Sequence, residues 1–466
     1  MGITQHRMPV ESFRAVARGG GGPVGVDRLF AARYSRNLLS LRAMVDLTAE
    51  RAHPDAEPVA RAWRQLVRLR TAHPEATRRI LLYPTVGVWI ADTLATLRSA
   101  DPASARPAAL AQVAAAVALA ARSRARVDFP TPTDVRGVFA LPGLGHLRVP
   151  GRAGTVVLEV NPGAMSVDGV PVSRPALPDG PVWSPLPRLR SRSGVDISLD
   201  RLWTLADPAT ARPVSRAEAD LLHASLADAW WLLAVHHRHS AREVAAAISM
   251  VMPVSRRPVA AGDPPARAPA GAPAAGDPSP GPDPGRADSG HGLVSGTHPA
   301  GAGCVALSAG GDPPALAAAL VHELQHSKLA ALADLFPLVE PHHDLRLPAP
   351  WRPDPRPLPA LVQGVYAHAS VLGFWHRQWH REAQPRGRLV AQVEFSRLRA
   401  ACREMAEALL ATDGLTSYGR LLVGEIRRAV AGWQRVAVPR TALAIAGRAA
   451  AGQPSRRPPG DPIISP

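Results

Sequence analysis

Apolar residues return every three or four positions over residues 26–126, in Leu38, Leu39, Leu41, Met44 and Val45 and again in Trp63, Leu66, Val67 and Leu69. That period predicts helices, and an N-terminal helical lobe over 1–130. Over 131–212 the period shortens to two: Val156, Leu158 and Val160 alternate, while Asn161-Pro162-Gly163 and Asp168-Gly169 carry turn chemistry. A small antiparallel β region is predicted there. A helical pattern resumes over 213–254, where Ser215 and Glu218 have capping-box spacing ahead of Leu221, Leu222, Leu226 and Trp230.

Residues 255–292 are Pro, Ala, Gly and Asp with almost no bulky apolar side chain, so burial cannot offset the entropy of ordering them. This segment is expected to be a disordered loop, and 452–466 a disordered tail. Between them, 293–451 has the organisation of a catalytic region. Gly303–Ser308 is a strand candidate, and Asp312 followed by Pro313 marks the start of a helix that runs to about Leu335. Further helices are expected over about Pro357–His380, Leu389–Leu410 and Ser417–Val436. The fold class is α+β, mainly helical with a small antiparallel sheet, in which the Pro313 helix packs against a later helix as a zincin-like pair.

A chain of 466 residues with 46% apolar content can bury a large core. The formal charge of +16 raises the question of a nucleic-acid partner. Its basic residues are scattered arginines, Lys328 is the sole lysine, and no basic run is interleaved with aromatics, which argues against nucleic-acid binding. Two cysteines, Cys304 and Cys402, exclude a disulfide framework and a cysteine-rich zinc cluster. The first residues carry neither a secretion nor a myristoylation pattern, and no apolar run reaches the roughly 20 residues that span a bilayer. A cytoplasmic protein with no membrane partner is expected.

The chemistry concentrates in His322-Glu323-Leu324-Gln325-His326. On a helix, residues four apart share a face, so His322 and His326 can present two imidazoles to one divalent ion with Glu323 beside them. Two histidines and a glutamate set among Leu316, Leu320, Val321, Leu324, Leu329 and Leu332 would be costly to bury without partners. A catalytic metal needs a third protein ligand. Ser327–Leu332 lacks the metzincin continuation, which leaves Glu340, His342, His343, Asp344 and His368. His368 is favoured because it lies in mid-helix, where a ligand is held rigidly. His236, His237 and His239, at a helix end, are read as structural. Lys328 points away from the histidine face.

The stretch Val321–Leu338, the segment Ala349–Pro357 and Gly364-Val365-Tyr366-Ala367-His368 resemble the bacterial HExxH-motif peptide-modification proteins, regarded as 2-oxoglutarate-dependent peptide β-hydroxylases. The likeness extends to Leu81–Trp89 and to Leu141-Pro142-Gly143-Leu144-Gly145, and lapses in the Pro-rich loop. It implies a non-haem Fe(II) dioxygenase that uses 2-oxoglutarate to hydroxylate a β-carbon in a ribosomally made precursor peptide. His322, His326 and His368 would be the iron ligands. Arg352 or Arg356 would hold the co-substrate's distal carboxylate, and Tyr366 could donate a hydrogen bond near the iron. Two other readings fit the motif. One is a zinc metallopeptidase with Glu323 as general base and the strand near Val305 aligning a peptide; the other is a non-catalytic metal- or peptide-binding protein.

Overall fold

Local chemistry sets the helix starts. In the computed structural model, which describes residues 6–130, 137–149, 155–172, 180–200, 215–254, 295–341 and 343–451, Ser215 and Glu218 close a reciprocal cap. The Glu218 amide donates to Ser215 Oγ at 3.2 Å and the Ser215 amide to Glu218 Oε2 at 3.0 Å, and the helix Arg216–His236 follows. Asp312 likewise accepts the Ala315 amide on Oδ1 at 3.1 Å ahead of the helix Pro313–Ala333. The Pro-rich loop, the C-terminal tail and His342 lie outside the described residues.

The protein is mainly helical with small sheets. Its residues pack into two units, one formed by Met1–Gly25, Val235–Ser240 and Leu332–Pro466, the other by Val26–Ala234 and Ala241–Ala331.

In the larger unit the helix Ala56–Ala72 buries Val59, Ala62, Leu66 and Leu69; of the predicted stripe Leu66 and Leu69 are buried, and Trp63 and Val67 are half-buried at its edges. Leu41 and Met44 are buried but Leu39 is 70% exposed. It stands about 200° around the helix from Leu41, so it belongs to the solvent face and not to the apolar period. The strand Thr155–Asn161 buries Val156, Leu158 and Val160 and pairs antiparallel with Ala125–Pro130 and Ala164–Val167. A second antiparallel sheet joins Val138–Leu141, Gly145–Arg148 and Val182–Pro185.

A third sheet differs from the antiparallel expectation. Its strands run in the order Ser295–Gly296, Cys304–Ser308, Met250–Val254, Asp196–Leu199, Arg188–Arg190; the three central ones are parallel to one another, and the two outer ones pair antiparallel with them. Parallel partners need long crossovers, so the pairing of Met250 with Cys304 leaves no local turn signal. The Pro102–Ala120 stretch is long and apolar enough to cross a membrane by length and composition. It also buries Leu110, Val113, Ala114 and Val117 completely, as a core helix does.

The smaller unit contains the helix Val10–Ala17, the hairpin Arg346–Ala349 with Arg352–Pro357, and the helices Leu358–Arg381, Pro385–Leu410, Ser417–Trp433 and Arg440–Ala451. Glu425, with a fully buried side chain, ties the first helix to the Ser417 helix. Arg18 Nε donates to its Oε2 at 2.7 Å, Arg14 Nε stands 3.5 Å from its Oε1, and Arg428 donates to the same oxygen. Burial would raise this carboxyl, but the hydrogen bonds and charges of Arg428 and Arg18 outweigh it and hold it below the ordinary 4.5. A depressed folded-state pKa contributes stability that is complete above about pH 4.5 and is lost as pH falls through the folded value. The arginines are partly exposed, so the clamp should contribute about 1–2 kcal/mol. Between pH 5 and 3 the melting temperature of wild type should therefore fall more steeply than that of Glu425→Gln; parallel curves would refute the clamp.

Candidate metal centre

The motif helix follows directly from the Cys304–Ser308 strand through the Asp312 cap, and Ser327 Oγ accepts the Gly303 amide at 3.1 Å. Leu316, Leu320, Val321, Leu324, Leu329 and Leu332 are all buried, as the sequence pattern requires. His322 and His326 are half-buried on one face, their Nε2 atoms 3.1 Å apart and their rings nearly perpendicular at 75°. Two nitrogens each about 2.1 Å from one ion would stand about 3.0 Å apart with right-angle bonds and about 3.4 Å apart with tetrahedral ones. The observed separation lies within that interval and nearer the first. Without an ion, the same spacing makes one imidazole donate to the other.

Glu323 is 2% exposed, and among the described residues its Oε2 makes no hydrogen bond. A buried carboxylate oxygen left unpaired costs on the order of 1–3 kcal/mol or more, so it wants a proton, a cation or a bound ligand. Two convergent imidazoles at this separation are spaced as two ligands of one divalent ion would be. The set has two ring donors: among the described residues no group of three or more His, Cys, Asp or Glu side chains gathers around one point.

A second polar cluster in the same unit was not foreseen. The Tyr83 hydroxyl is 3.0 Å from Ser198 Oγ and donates to Asp200 Oδ2 at 3.3 Å, and His146 Nε2 stands 3.5 Å from Asp200 Oδ1. Burial and the Asp200 charge push the Tyr83 phenol well above its ordinary value, against the Ser198 hydrogen bond. Cys304 is raised by burial and then by the charges of Asp200 and Glu323, so the cluster borders the motif glutamate and the thiol is inert. Tyr83 and Asp200 are 117 positions apart, and no spacing marks them as partners. Gly143, at φ +71°, lies where a Cβ would meet the Tyr83 ring at 3.0 Å. Tyr83 and Gly143 are thus packed on each other.

His368 belongs to the smaller unit. Its Nδ1 donates to the Gly364 carbonyl at 2.7 Å, which fixes the tautomer and leaves Nε2 with the lone pair, the arrangement of most histidine ligands. The Trp351 ring stacks on it at 4.4 Å, and Gly364 lets that ring lie across the helix, since a Cβ there would come within 2.5 Å of it. Tyr366 is fully buried and donates its hydroxyl to the Val16 carbonyl at 2.8 Å, which ties the helix Leu358–Arg381 to the helix Val10–Ala17. Arg356 pairs with Asp354 at 3.2 Å, and the Arg352 side chain lies outside the described residues. Of the other ligand candidates, Glu340 and Asp344 are exposed, and His343 is paired with Asp413 at 3.1 Å.

Three further expectations change in detail. His237 does not meet a helix terminus as a cation. It is buried against Phe374 at 4.2 Å and bonded to Gln378, and burial, with Arg377, His236 and Arg381 nearby, lowers it to about 4 and keeps it neutral. Lys328 is fully enclosed and paired with Glu243 at 2.9 Å. The Cys304–Ser308 strand pairs on both sides, with Met250–Val254 and with Ser295–Gly296, so it is not the open edge that would align a peptide by strand addition.

No family model matches the chain, and no curated protein matches it.

Proposed function

We propose that the protein holds Fe(II) through His322 and His326 and hydroxylates a β-carbon of a ribosomally made precursor peptide with 2-oxoglutarate and dioxygen. The observation that carries this reading is the 3.1 Å convergence of the two imidazole nitrogens, on a helix that also carries the buried Glu323 with an unpaired carboxylate oxygen. The sequence likeness supplies the reaction type. When bound, the iron would supply oxidative chemistry: one atom of dioxygen ends as the peptide hydroxyl and the other in succinate, with loss of carbon dioxide from the 2-oxo acid.

The chain's own residues have simpler tasks. The apolar motif helix fixes the two imidazoles and keeps water from the buried side. Glu323, buried on the same helix with an unpaired oxygen, would orient a ligand without itself binding the ion. The likeness assigns His368 the third ligand position, for which its fixed tautomer suits it, and assigns the co-substrate carboxylate to Arg352 or Arg356. Cys304 and Cys402 are both free and buried, in keeping with a reducing, cytoplasmic setting.

One observation favours a second reading. Two convergent imidazoles and, on the same helix, a buried carboxylate with an unpaired oxygen are also the equipment of a zinc peptidase, with Glu323 as general base. Protein reconstituted anaerobically with Fe(II) and then given 2-oxoglutarate and air should release succinate and carbon dioxide and add one oxygen to a candidate peptide. Zinc-supported cleavage that ignores dioxygen would instead establish the peptidase.

A further inference from the structure

In the smaller unit, His236 and Arg238 at two adjoining helix ends and Arg377 and Arg381, one turn apart, line an open cavity of about 530 Å³ together with Val235. Some arginines of this unit find carboxylates: Arg14, Arg18 and Arg428 take Glu425, Arg397 takes Glu394, and Arg403 takes Glu407. Among the described residues, Arg238, Arg377 and Arg381 have no acidic partner. The neighbouring Glu382 is engaged, its carboxylate accepting from Gln378 Nε2 at 3.1 Å and from the Gln384 amide at 3.1 Å. His237, between His236 and Arg238 in the chain, is held neutral by burial first and then by the charges of Arg377, His236 and Arg381, in keeping with cations on this side of the helix Leu358–Arg381. Like charges gathered without a counter-charge repel, and a bound anion would relieve that repulsion.

We propose that this cavity binds an acidic polypeptide segment, a run of Asp or Glu side chains laid between the arginines. The cavity is open, and its guanidiniums come from three separate positions on two helices. A lone phosphate would call for a closed cradle with backbone amides aimed inward, whereas spaced guanidiniums suit successive carboxylates. That the ligand is a peptide rests on the peptide-modifying reading; the charge chemistry does not.

The test uses the full chain and fluorescein-labelled hexaglutamate in fluorescence anisotropy, at low and at physiological salt. Wild type should bind, more weakly as salt rises. Arg377→Ala with Arg381→Ala should weaken binding by about tenfold or more, and their replacement by lysine should restore part of it. Arg427→Ala with Arg435→Ala, which removes the same charge from exposed positions outside the cavity, should have little effect. Thermal melts check that each variant is folded. The site is refuted if hexaglutamate does not bind or if the control pair weakens it equally. Displacement by millimolar inorganic phosphate but not by equimolar glutamate would show a phosphoryl site and overturn the peptide assignment. His322→Ala should bind hexaglutamate as wild type does, so failure of the hydroxylation reading and failure of this site are read separately.

Discussion

His322→Ala and His326→Ala are each expected to lose stoichiometric binding of a divalent ion, with affinity falling by a hundredfold or more, while Glu323→Gln keeps the ion within about tenfold. The asymmetry follows from position. The two imidazoles face each other across 3.1 Å and would share the ion directly, so either deletion destroys the chelate. The glutamate is buried on the same helix and is not one of the two ring donors, and glutamine keeps its shape and a polar end, so the loss should stay at the low end of the roughly 10–100-fold that removing a group acting through a metal's ligands costs. Anaerobic titration with Fe(II), and separately with Zn(II), followed by metal analysis of the desalted protein, reads this directly. Melting temperature gives a second readout. An ion present at a hundred times its dissociation constant stabilises the folded state by about 2.7 kcal/mol, so wild type should melt higher with metal and the histidine variants should not respond. If His322→Ala bound the ion as tightly as wild type, the pair would be an imidazole hydrogen bond and nothing more.

That pair was legible in the sequence because its geometry is local: four residues on one helix turn fix one face, and the apolar neighbours fix the helix. The caps at Ser215 and Asp312 and the alternation of Val156, Leu158 and Val160 were legible for the same reason. The parallel sheet was not, because Asp196–Leu199, Met250–Val254 and Cys304–Ser308 are short apolar runs whose partners come from distant segments. Periodicity assigns a face and never a neighbour. Leu39 was misplaced by one phase of the helix, where a cluster of leucines blurs which side is the stripe. The Tyr83, Ser198, Asp200 and His146 cluster beside Glu323 arises only in three dimensions. Tyr83 and Gly143 lay in stretches marked by the family likeness, yet nothing in them pointed to Asp200.

Lys328→Met is expected to destabilise the protein by about 3–5 kcal/mol, a large part of the roughly 5–15 kcal/mol that holds a folded domain together. Lys328 and Glu243 have side chains 0% and 1% exposed, with Nζ and Oε2 2.9 Å apart. Burial lowers the ammonium from its ordinary 10.5 and the Glu243 charge offsets part of this, so the lysine depends on the glutamate to remain charged. Removing the lysine strands a carboxylate in the core. Replacing both, as Lys328→Met with Glu243→Leu, strands nothing and should recover most of the loss, because a buried pair is commonly worth little more than a well-packed apolar substitute. Urea unfolding of the two single variants and the double variant measures the coupling; single losses that simply add would refute an interacting pair. The pair also explains why the sole lysine survives in a chain that otherwise uses arginine. A compact ammonium suits an enclosed site that offers it a carboxylate, whereas a planar guanidinium brings five donors that such a site would have to satisfy. Lys328→Arg should therefore also destabilise although it keeps the charge. Because Lys328 sits two residues beyond His326, that variant should loosen the divalent ion as well, and the apolar double variant should restore its affinity.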